Sequence, residues 1–217
     1  MGLLDIFKSK RSDDKMTTVN IAIVYYSSTG TNYKMAKWAE EAAKEAGANV
    51  YLARASELAP QAAIDSNPAW KAHLEETKDI PEAKPEDLDW ADAILFSMPT
   101  RFGNLPAQMK QFLDQTGGLW GEGKLVNKVV SGMSSAMNDH GGQEATVKSL
   151  YTTMMHWGAI IAAPGYSDPV TFSTGGNPYG TSVTVDGEGN MQTDIEPAVK
   201  HQTRRTVQVA TWVKNGQ

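Results

Sequence analysis

The stretch NIAIVYYSSTGTNYKMA, residues 20–36, changes from an apolar run to a cluster of hydroxyl side chains around Gly30 and then to a helical pattern. The apolar run has the length and the β-branched content of a buried strand. Beyond the glycine, apolar residues recur at the spacing of one helical face, at Met35, Ala39, Ala42, Ala43 and Ala46. The helical pattern stops at Gly47. The stretch therefore predicts a strand, a hydroxyl-rich turn and a helix in succession.

The rest of the chain repeats this alternation. Four further strands are predicted, over residues 49–53 (NVYLA), 93–98 (AILFSM), 128–136 (KVVSGMSSA) and 158–163 (GAIIAA). Helical patterns occur around residues 68–77, after Pro106, over residues 143–157 and from about 194 to 213. Parallel strands need crossover connections, and right-handed crossovers put helices on both faces. The order therefore predicts an α/β fold with a doubly wound, five-stranded parallel sheet.

Three polar loops follow strands that end at the same edge of the predicted sheet. They are SSTGTN (27–32), PTRFGN (99–104) and SSAMNDHGG (134–142), and all are rich in hydroxyls, amides and glycine. In doubly wound sheets, ligands bind beyond the carboxyl ends of the strands. These loops together are therefore the predicted ligand site.

The first loop has the features of a phosphate site that works without a lysine. A turn that enters a helix offers free backbone N–H groups and the positive end of the helix dipole, and hydroxyls add neutral donors. This turn has neither the lysine of a Walker loop nor the three spaced glycines of a dinucleotide fingerprint. It therefore suits the terminal phosphate of a tightly bound mononucleotide. The alternative is ordinary capping of the helix by Ser28 or Thr29.

Composition excludes several classes of function. The chain has 217 residues, a net charge of −5 and no cysteine. The acidic balance disfavours nucleic-acid binding. The lack of cysteine excludes thiol nucleophiles, disulfides and thiolate metal sites, so redox chemistry requires a cofactor. Histidine and carboxylate residues do not recur at metal-ligand spacing, and no metal site is predicted.

One domain is expected over residues 18–217, preceded by a flexible tail over residues 1–17. A second interpretation makes the tail a weak interfacial anchor, because basic residues follow Leu3, Leu4, Ile6 and Phe7. No apolar run approaches the roughly 20 residues that span a bilayer, so no stable membrane insertion is expected. The expected location is cytoplasmic.

Four segments carry a resemblance to a known family: YYSSTGTN (25–32), MPTRFGNLPAQMKQFLDQTGGLW (98–120), SSAMNDHGGQE (134–144) and TGGNPYG (174–180). They closely resemble the WrbA family of flavodoxin-like NAD(P)H:quinone oxidoreductases, which bind FMN. The resemblance implies a flavodoxin-like fold and the two-electron reduction of quinones by NAD(P)H, in ping-pong order through the flavin N5. It also implies a homotetramer in which neighbouring subunits complete the pocket.

The resemblance also assigns flavin-binding residues. It implies that the ribityl phosphate is held by Ser27, Thr29, Gly30, Thr31 and Asn32. It implies that the isoalloxazine is wrapped by Pro99, Thr100, Arg101, Phe102, Gly103 and Asn104. The other edge of the ring would be lined by Ser134, Ser135, Ala136, Met137, Asn138, Gly141 and Gly142. The third loop is one residue longer than in the family, so the resemblance leaves open which of residues 137–140 contacts flavin.

Catalytic and substrate contacts are implied for four residues. Arg101 would stabilise negative charge on the reduced flavin, or else cover aromatic surface. His156 would contact flavin and donate to the quinone oxygen, or else satisfy carbonyls at its helix end. Trp120 would help to form the substrate pocket, with core packing as the alternative. Thr29 stands where the family often has an aromatic residue at the nicotinamide. No role is assigned to the remaining helical histidines, His73 and His201.

Two further points follow from segment length and charge. The turn-rich segment at 175–190 contains a possible hairpin around SVTV (182–185), and the resemblance makes this loop part of the interface and the active-site rim.

The alternative functions are an electron carrier of the flavodoxin type and a partner-binding regulatory flavoprotein. A carrier is expected to have a shorter chain and a strongly acidic docking face, whereas the net charge here is only −5.

Overall fold

A computed structural model describes residues 17–217. The predicted tail over residues 1–17, with its alternative as an anchor, lies outside the described residues except for Thr17. The strands are β1 Asn20–Tyr25, β2 Asn49–Arg54, β3 Ala93–Pro99, β4 Val129–Ala136, β5 Ile160–Ile161 and β6 Ser182–Thr184. The helices are α1 Thr31–Glu45, α2 Gln61–Asp65, α3 Pro68–Glu76, α4 Pro85–Trp90, α5 Ala107–Asp114, α6 Gly117–Gly121, α7 Gln143–Trp157, α8 Val170–Ser173 and α9 Glu196–Asn215.

The strands form a parallel sheet in the order β2-β1-β3-β4-β5. This order is that of the flavodoxin-like doubly wound fold, with a switch point between β1 and β3. The predicted fold class is therefore confirmed. The fifth strand is shorter than predicted, because only Ile160 and Ile161 pair with β4.

A sixth strand extends the sheet at the carboxyl end of β4. β6 pairs in parallel with β4, from Ser134 opposite Ser182 to Ala136 opposite Thr184. The possible hairpin around 182–185 is found only at its end, because residues 182–184 pair with β4. The chain reverses only afterwards, where Val185 forms an antiparallel bridge with Met191.

Alternate residues of the strands supply two apolar cores. On β3, Leu95 faces the core shared with α1 and α9, whereas Phe96 faces the core shared with α5 and α7. Both side chains are fully buried. This burial on two faces explains why the strands have continuous apolar sequences. Within residues 17–217, no helix has the length and apolar character needed to cross a lipid bilayer.

Candidate functional site

The register of the sheet brings the three polar loops to one edge. Tyr25 at the end of β1 is opposite Ser97 of β3, and Pro99 at the end of β3 is opposite Ser135 of β4. The loops that leave these strands therefore emerge side by side. This position, beyond the carboxyl ends of the strands next to the switch point, is where doubly wound proteins bind ligands.

The turn between β1 and α1 leaves the first helical amides free. Gly30 has φ 101°, a left-handed conformation that glycine adopts readily, and its N–H donates to Ser27 Oγ at 3.0 Å. Helix α1 begins at Thr31 with no side-chain cap and no acidic residue in its first turn. The alternative function, capping by Ser28 or Thr29, is therefore absent. Uncapped N–H groups, neutral hydroxyls and the helix dipole make this turn suitable for an anion.

Asn32 has a structural role that the sequence did not indicate. Its side chain is buried, donates from Nδ2 to Ser97 Oγ at 3.2 Å, and accepts from Ser135 Oγ at 2.6 Å. Ser97 Oγ also donates to the Asn32 carbonyl at 3.0 Å. The amide side chain thus joins α1 to β3 and β4. A phosphate in the turn would meet the backbone N–H of Asn32 and not its side chain.

The second and third loops are held together around Thr100. Thr100 Oγ1 accepts from the Gly103 N–H at 3.1 Å and donates to the Gly141 carbonyl at 3.2 Å. A Cβ on Gly142, which has φ 93°, would lie 2.6 Å from the Cα of Gly103. The two backbones can approach this closely because Gly142 has no side chain. The two loops therefore form one continuous wall beside the turn.

Arg101 and Phe102 project from this wall. Arg101 Nη2 donates to Ser28 Oγ at 3.1 Å, so the guanidinium bridges the second loop to the turn between β1 and α1. Phe102 has φ 53°, unusual for a residue with a side chain, and its ring is completely exposed. The loop thus presents a cation and an aromatic ring to solvent at the sheet edge.

The third loop divides into a buried and an exposed part. Ser134 is fully buried and its hydroxyl has no partner among the described residues, while Ser135 binds Asn32 as above. Met137 is exposed, together with the following residues 138–140. The hydroxyls of Ser134 and Ser135 therefore point into the core and not toward the ligand edge, because both residues belong to β4.

The structure places His156 far from the three polar loops of its own chain. Helix α7 begins at the third loop and runs away from it, so His156 lies roughly 20 Å further along the helix at about 1.5 Å per residue. The Gly158 carbonyl accepts from the N–H of Asn127, at the amino end of β4. His156 is therefore at the opposite edge of the sheet from the three loops.

Trp120 is at that opposite edge too. Its Nε1 donates to the His156 carbonyl at 2.9 Å, and its ring is largely exposed. The exposure excludes the alternative of core packing. The structure thus brings Trp120 and His156 together, but it separates both from the loops of their own chain.

A half-buried carboxylate beside the site was not predicted from the sequence. Glu57 follows β2 and accepts hydrogen bonds from five groups: the N–H groups of Leu58 and Ala59, Gln108 Nε2, Trp70 Nε1 and the Tyr26 hydroxyl. Burial alone would raise its pKa, but these hydrogen bonds keep the pKa of Glu57 below its ordinary value. The one sequence signal was a carboxylate just after a strand at the ligand edge.

A chain of contacts connects Glu57 to the site. The Tyr26 hydroxyl lies 3.1 Å from Glu57 Oε2 and 3.3 Å from Ser28 Oγ, which in turn accepts from Arg101. Burial, together with the negative Glu57, raises the pKa of Tyr26 to about 12. The phenol is therefore neutral and acts as a fixed hydrogen-bonding link between the carboxylate and the turn.

His73, to which the sequence assigned no role, is buried beside the turn between β1 and α1. Helix α3 folds over the turn, and the imidazole packs against Tyr33 with ring centroids 5.4 Å apart. Its Nδ1 is 3.6 Å from the position of a Cβ on Gly30. Among residues 17–217, no group of three or more histidine or carboxylate side chains is arranged to hold a metal ion.

Two sequence relatives are similar to the chain over most of its length. A protein of Deinococcus radiodurans named NAD(P)H dehydrogenase (quinone) is 54% identical over 191 residues, 88% of this chain and 95% of the relative. A protein of Aromatoleum aromaticum with the same name is 40% identical over 206 residues, 91% of this chain and 99% of the relative.

A solved structure and a family match agree with this similarity. The WrbA-like flavodoxin from Agrobacterium tumefaciens has a TM-score of 0.54 at 19% identity, covering 92% of this chain and all of that one, a likeness that concerns the fold. Residues 19–168 match the family described as NADPH-dependent FMN reductase. With the polar loops on the described edge of a flavodoxin-like sheet, and with this match over most of its length, the chain belongs to the NADPH-dependent FMN reductase family.

Proposed function

We propose that this protein is an FMN-dependent NAD(P)H:quinone oxidoreductase that reduces quinones to hydroquinones by two electrons. One structural observation carries the proposal: the uncapped start of α1 opens at the sheet edge beside the wall formed by the second and third loops. The names of relatives that match most of the chain indicate the substrates. An electron carrier would need no pocket for NAD(P)H or quinone.

The donors at the edge suit FMN. The phosphate would be held by the first-turn N–H groups of α1 and by the hydroxyls of Thr29 and Thr31, with Ser27 fixing the turn through its bond to Gly30. The wall of loops around Gly103 and Gly142 offers flat backbone surface for the isoalloxazine. Arg101 supplies the positive charge of this edge.

The residues of this chain bind and orient the reactants, while FMN, when bound, would supply the two-electron chemistry between NAD(P)H and the quinone in ping-pong order. Arg101, held by Ser28, places a cation where negative charge accumulates on reduction. The Thr100 contacts keep the wall rigid, so that these groups need not reorganise during the reaction.

The pocket is completed in the proposal by another copy of the chain. His156 and Trp120 are exposed and adjacent, yet they are at the opposite sheet edge from the loops of their own chain. They reach a flavin only if a neighbouring protomer presents them, which a closed homotetramer allows. In that position His156 would hydrogen-bond to or protonate the quinone oxygen, and Trp120 would cover the ring.

Spectroscopy and steady-state kinetics test the function together. Purified protein should show the absorbance of oxidised flavin, bleached by NADH and restored by benzoquinone. Initial rates at several quinone concentrations should give parallel double-reciprocal lines, since one pocket serves both substrates in turn. Intersecting lines would contradict the ping-pong order, and flavin that NADH does not bleach would favour the electron carrier.

A further inference from the structure

The turn between β1 and α1 (residues 26–30), named here the phosphate turn after its proposed ligand, faces a buried histidine that the proposed function leaves unused. His73 is only 5% exposed, and its Nδ1 lies 3.6 Å from the position of a Cβ on Gly30. In the part of the chain that the structure describes, its ring nitrogens form no hydrogen bond. The carboxylate of Glu76 is 4.0 Å from Nδ1, beyond hydrogen-bonding distance. Because buried polar side chains usually have hydrogen-bond partners, a largely buried imidazole that has none, beside an anion site, points to a ligand.

We infer that His73 is part of the phosphate site and binds a proton together with the phosphate monoester held at residues 30–32. The inference rests on the proposed function and extends it, because it makes FMN binding dependent on pH through a residue of this chain. An imidazolium next to the turn would supply the positive charge that a Walker loop obtains from its lysine.

The charges around His73 leave it available for this role. Tyr33 of α1 packs on the ring, and the small cavity beside it is also lined by Tyr25, Tyr26, Arg54 and Glu57. Burial raises the pKa of both Tyr25 and Tyr26, so both phenols are neutral near pH 7.

The charged side chains that line the cavity beside His73 already have partners. Arg54 Nη2 binds Glu82 at 3.0 Å, and Glu57 has five hydrogen-bond donors. Glu76, on α3 itself, is mostly exposed and is therefore screened by solvent. A bound phosphate dianion would thus be the strongest charge acting on His73.

The direction of the effect follows from this environment. Burial lowers the pKa of His73, and Glu76 opposes that shift without cancelling it, so the imidazole is neutral at pH 7 when the turn is empty. A phosphate dianion raises the pKa again, because an opposite charge favours the imidazolium. Between these two pKa values, phosphate binding takes up a proton, and the contribution of His73 to affinity increases as the pH falls.

The test compares FMN and riboflavin binding by wild-type protein and His73→Gln, measured by flavin fluorescence from pH 6 to pH 8.5. The phosphate of FMN titrates near pH 6 in both proteins, so the ratio of their FMN dissociation constants isolates the histidine. We expect that ratio to rise from close to 1 at pH 8.5 to a several-fold value at pH 6. A shift of about one pKa unit sets its upper limit at about tenfold, which is reached only below the pKa of His73 in the FMN-free protein. The ratio of the riboflavin dissociation constants of the two proteins should not depend on pH.

A matched control uses the other partly buried histidine. His201 binds Ser167 at 3.0 Å and lies on α9, and His201→Gln should leave the FMN ratio at 1 throughout. If the ratio of the FMN dissociation constants of His73→Gln and wild type does not change with pH, the inference is overturned, while the proposed phosphate turn is unaffected. Equal affinities of wild-type protein for FMN and riboflavin would instead overturn the proposed phosphate turn itself.

A second measurement needs no variant. The pKa of the His73 ring in wild-type protein can be measured by NMR with riboflavin bound and with FMN bound. We expect a pKa about one unit higher with FMN. The same pKa in both complexes would overturn the inference even if His73→Gln does not fold.

Discussion

Trp120 donates its indole N–H to the carbonyl of His156 at 2.9 Å, and this bond joins the short helix α6 to the end of α7. The two residues are 36 positions apart in sequence, and both are exposed. Trp120 lies on α6, which follows α5 after the second loop, and His156 lies near the end of α7, which follows the third loop. The pair is therefore a preformed surface at the edge of the sheet opposite to the loops, and in the proposed function it completes the flavin pocket of another protomer.

Mixed oligomers test this division of the site. His156→Asn alone should slow quinone reduction about tenfold or more, the lower part of the range for general acids. Arg101→Ala alone should also lose activity, through the loop side. When the two variants are co-assembled, roughly a quarter of the pockets combine an intact Arg101 from one chain with an intact His156 from another, so activity should partly return.

The control for co-assembly is a mixture of His156→Asn with Trp120→Ala. Both changes alter the surface formed by Trp120 and His156, so every chain in this mixture carries a damaged surface and no pocket is intact. Sedimentation should show a tetramer in every case. A lack of recovery in the first mixture, with tetramers present, would mean that one chain supplies both halves of its pocket.

Asn32 is expected to matter for stability more than for phosphate binding. Asn32→Ala removes the acceptor of Ser135 Oγ and the donor to Ser97 Oγ inside the core. Because buried hydroxyls without partners are costly, the free energy of unfolding should fall by about 2 kcal/mol or more. Urea unfolding of the apo protein measures this loss. The control Asn49→Ala, which breaks an exposed bond to Asn20, should change stability by less than about 0.5 kcal/mol.

Thr31 is expected to act on the phosphate alone. Thr31→Ala should weaken FMN binding by about tenfold or more, since a hydrogen bond to a charged group contributes about 1.5–3 kcal/mol. Riboflavin binding should stay unchanged, and the double variant with Ser27→Ala should lose more because Ser27 fixes the turn. Thr152→Ala, on the exposed face of α7, is the matched control. Equal losses for FMN and riboflavin would contradict a phosphate site at this turn.

Glu57 gives a pH-dependent contribution to stability. Hydrogen bonds hold the pKa of Glu57 below its ordinary value in spite of burial, so the ionised carboxylate stabilises the native state. Such a contribution is complete above the unfolded pKa of about 4.3 and is lost as the pH falls through the lower native pKa.

The variant Glu57→Gln should therefore be less stable than the wild type by about 1–3 kcal/mol at pH 7, with the difference shrinking below about pH 4. Urea unfolding at pH 7, 5 and 3.5 measures this. The exposed Glu75, paired only with Lys78, provides the control, and Glu75→Gln should show almost no difference at any pH. A constant deficit for Glu57→Gln would indicate lost packing and not a lost charge.

Local patterns in the sequence were sufficient for the fold and for the ligand edge. Three features of the first unit can be read from a few neighbouring residues: the apolar run of β1, the glycine at position 30 and the alanine stripe of α1. The repeat of apolar residues in each segment is therefore enough to predict the strand and the helix. Once the elements alternate, crossover handedness puts the three polar loops at one edge. The short helices α2 and α4 and the parallel pairing of β6 were not predicted, because each depends on contacts distant in sequence.

Tertiary structure alone decided which side chains face the site. Asn32 looked like a phosphate ligand, but the helix turns its side chain into the core, where Ser97 and Ser135 need partners. His156 is an expected flavin contact, and the direction of α7 carries it to the sheet edge opposite the loops of its own chain, so that in the proposed function it reaches the flavin of another protomer. Glu57 and His73 looked like ordinary polar residues, yet the packing of α3 and of the loop after β2 brings both beside the turn. Periodicity specifies that a helix forms and which face is apolar, whereas the place where that helix docks depends on the whole core.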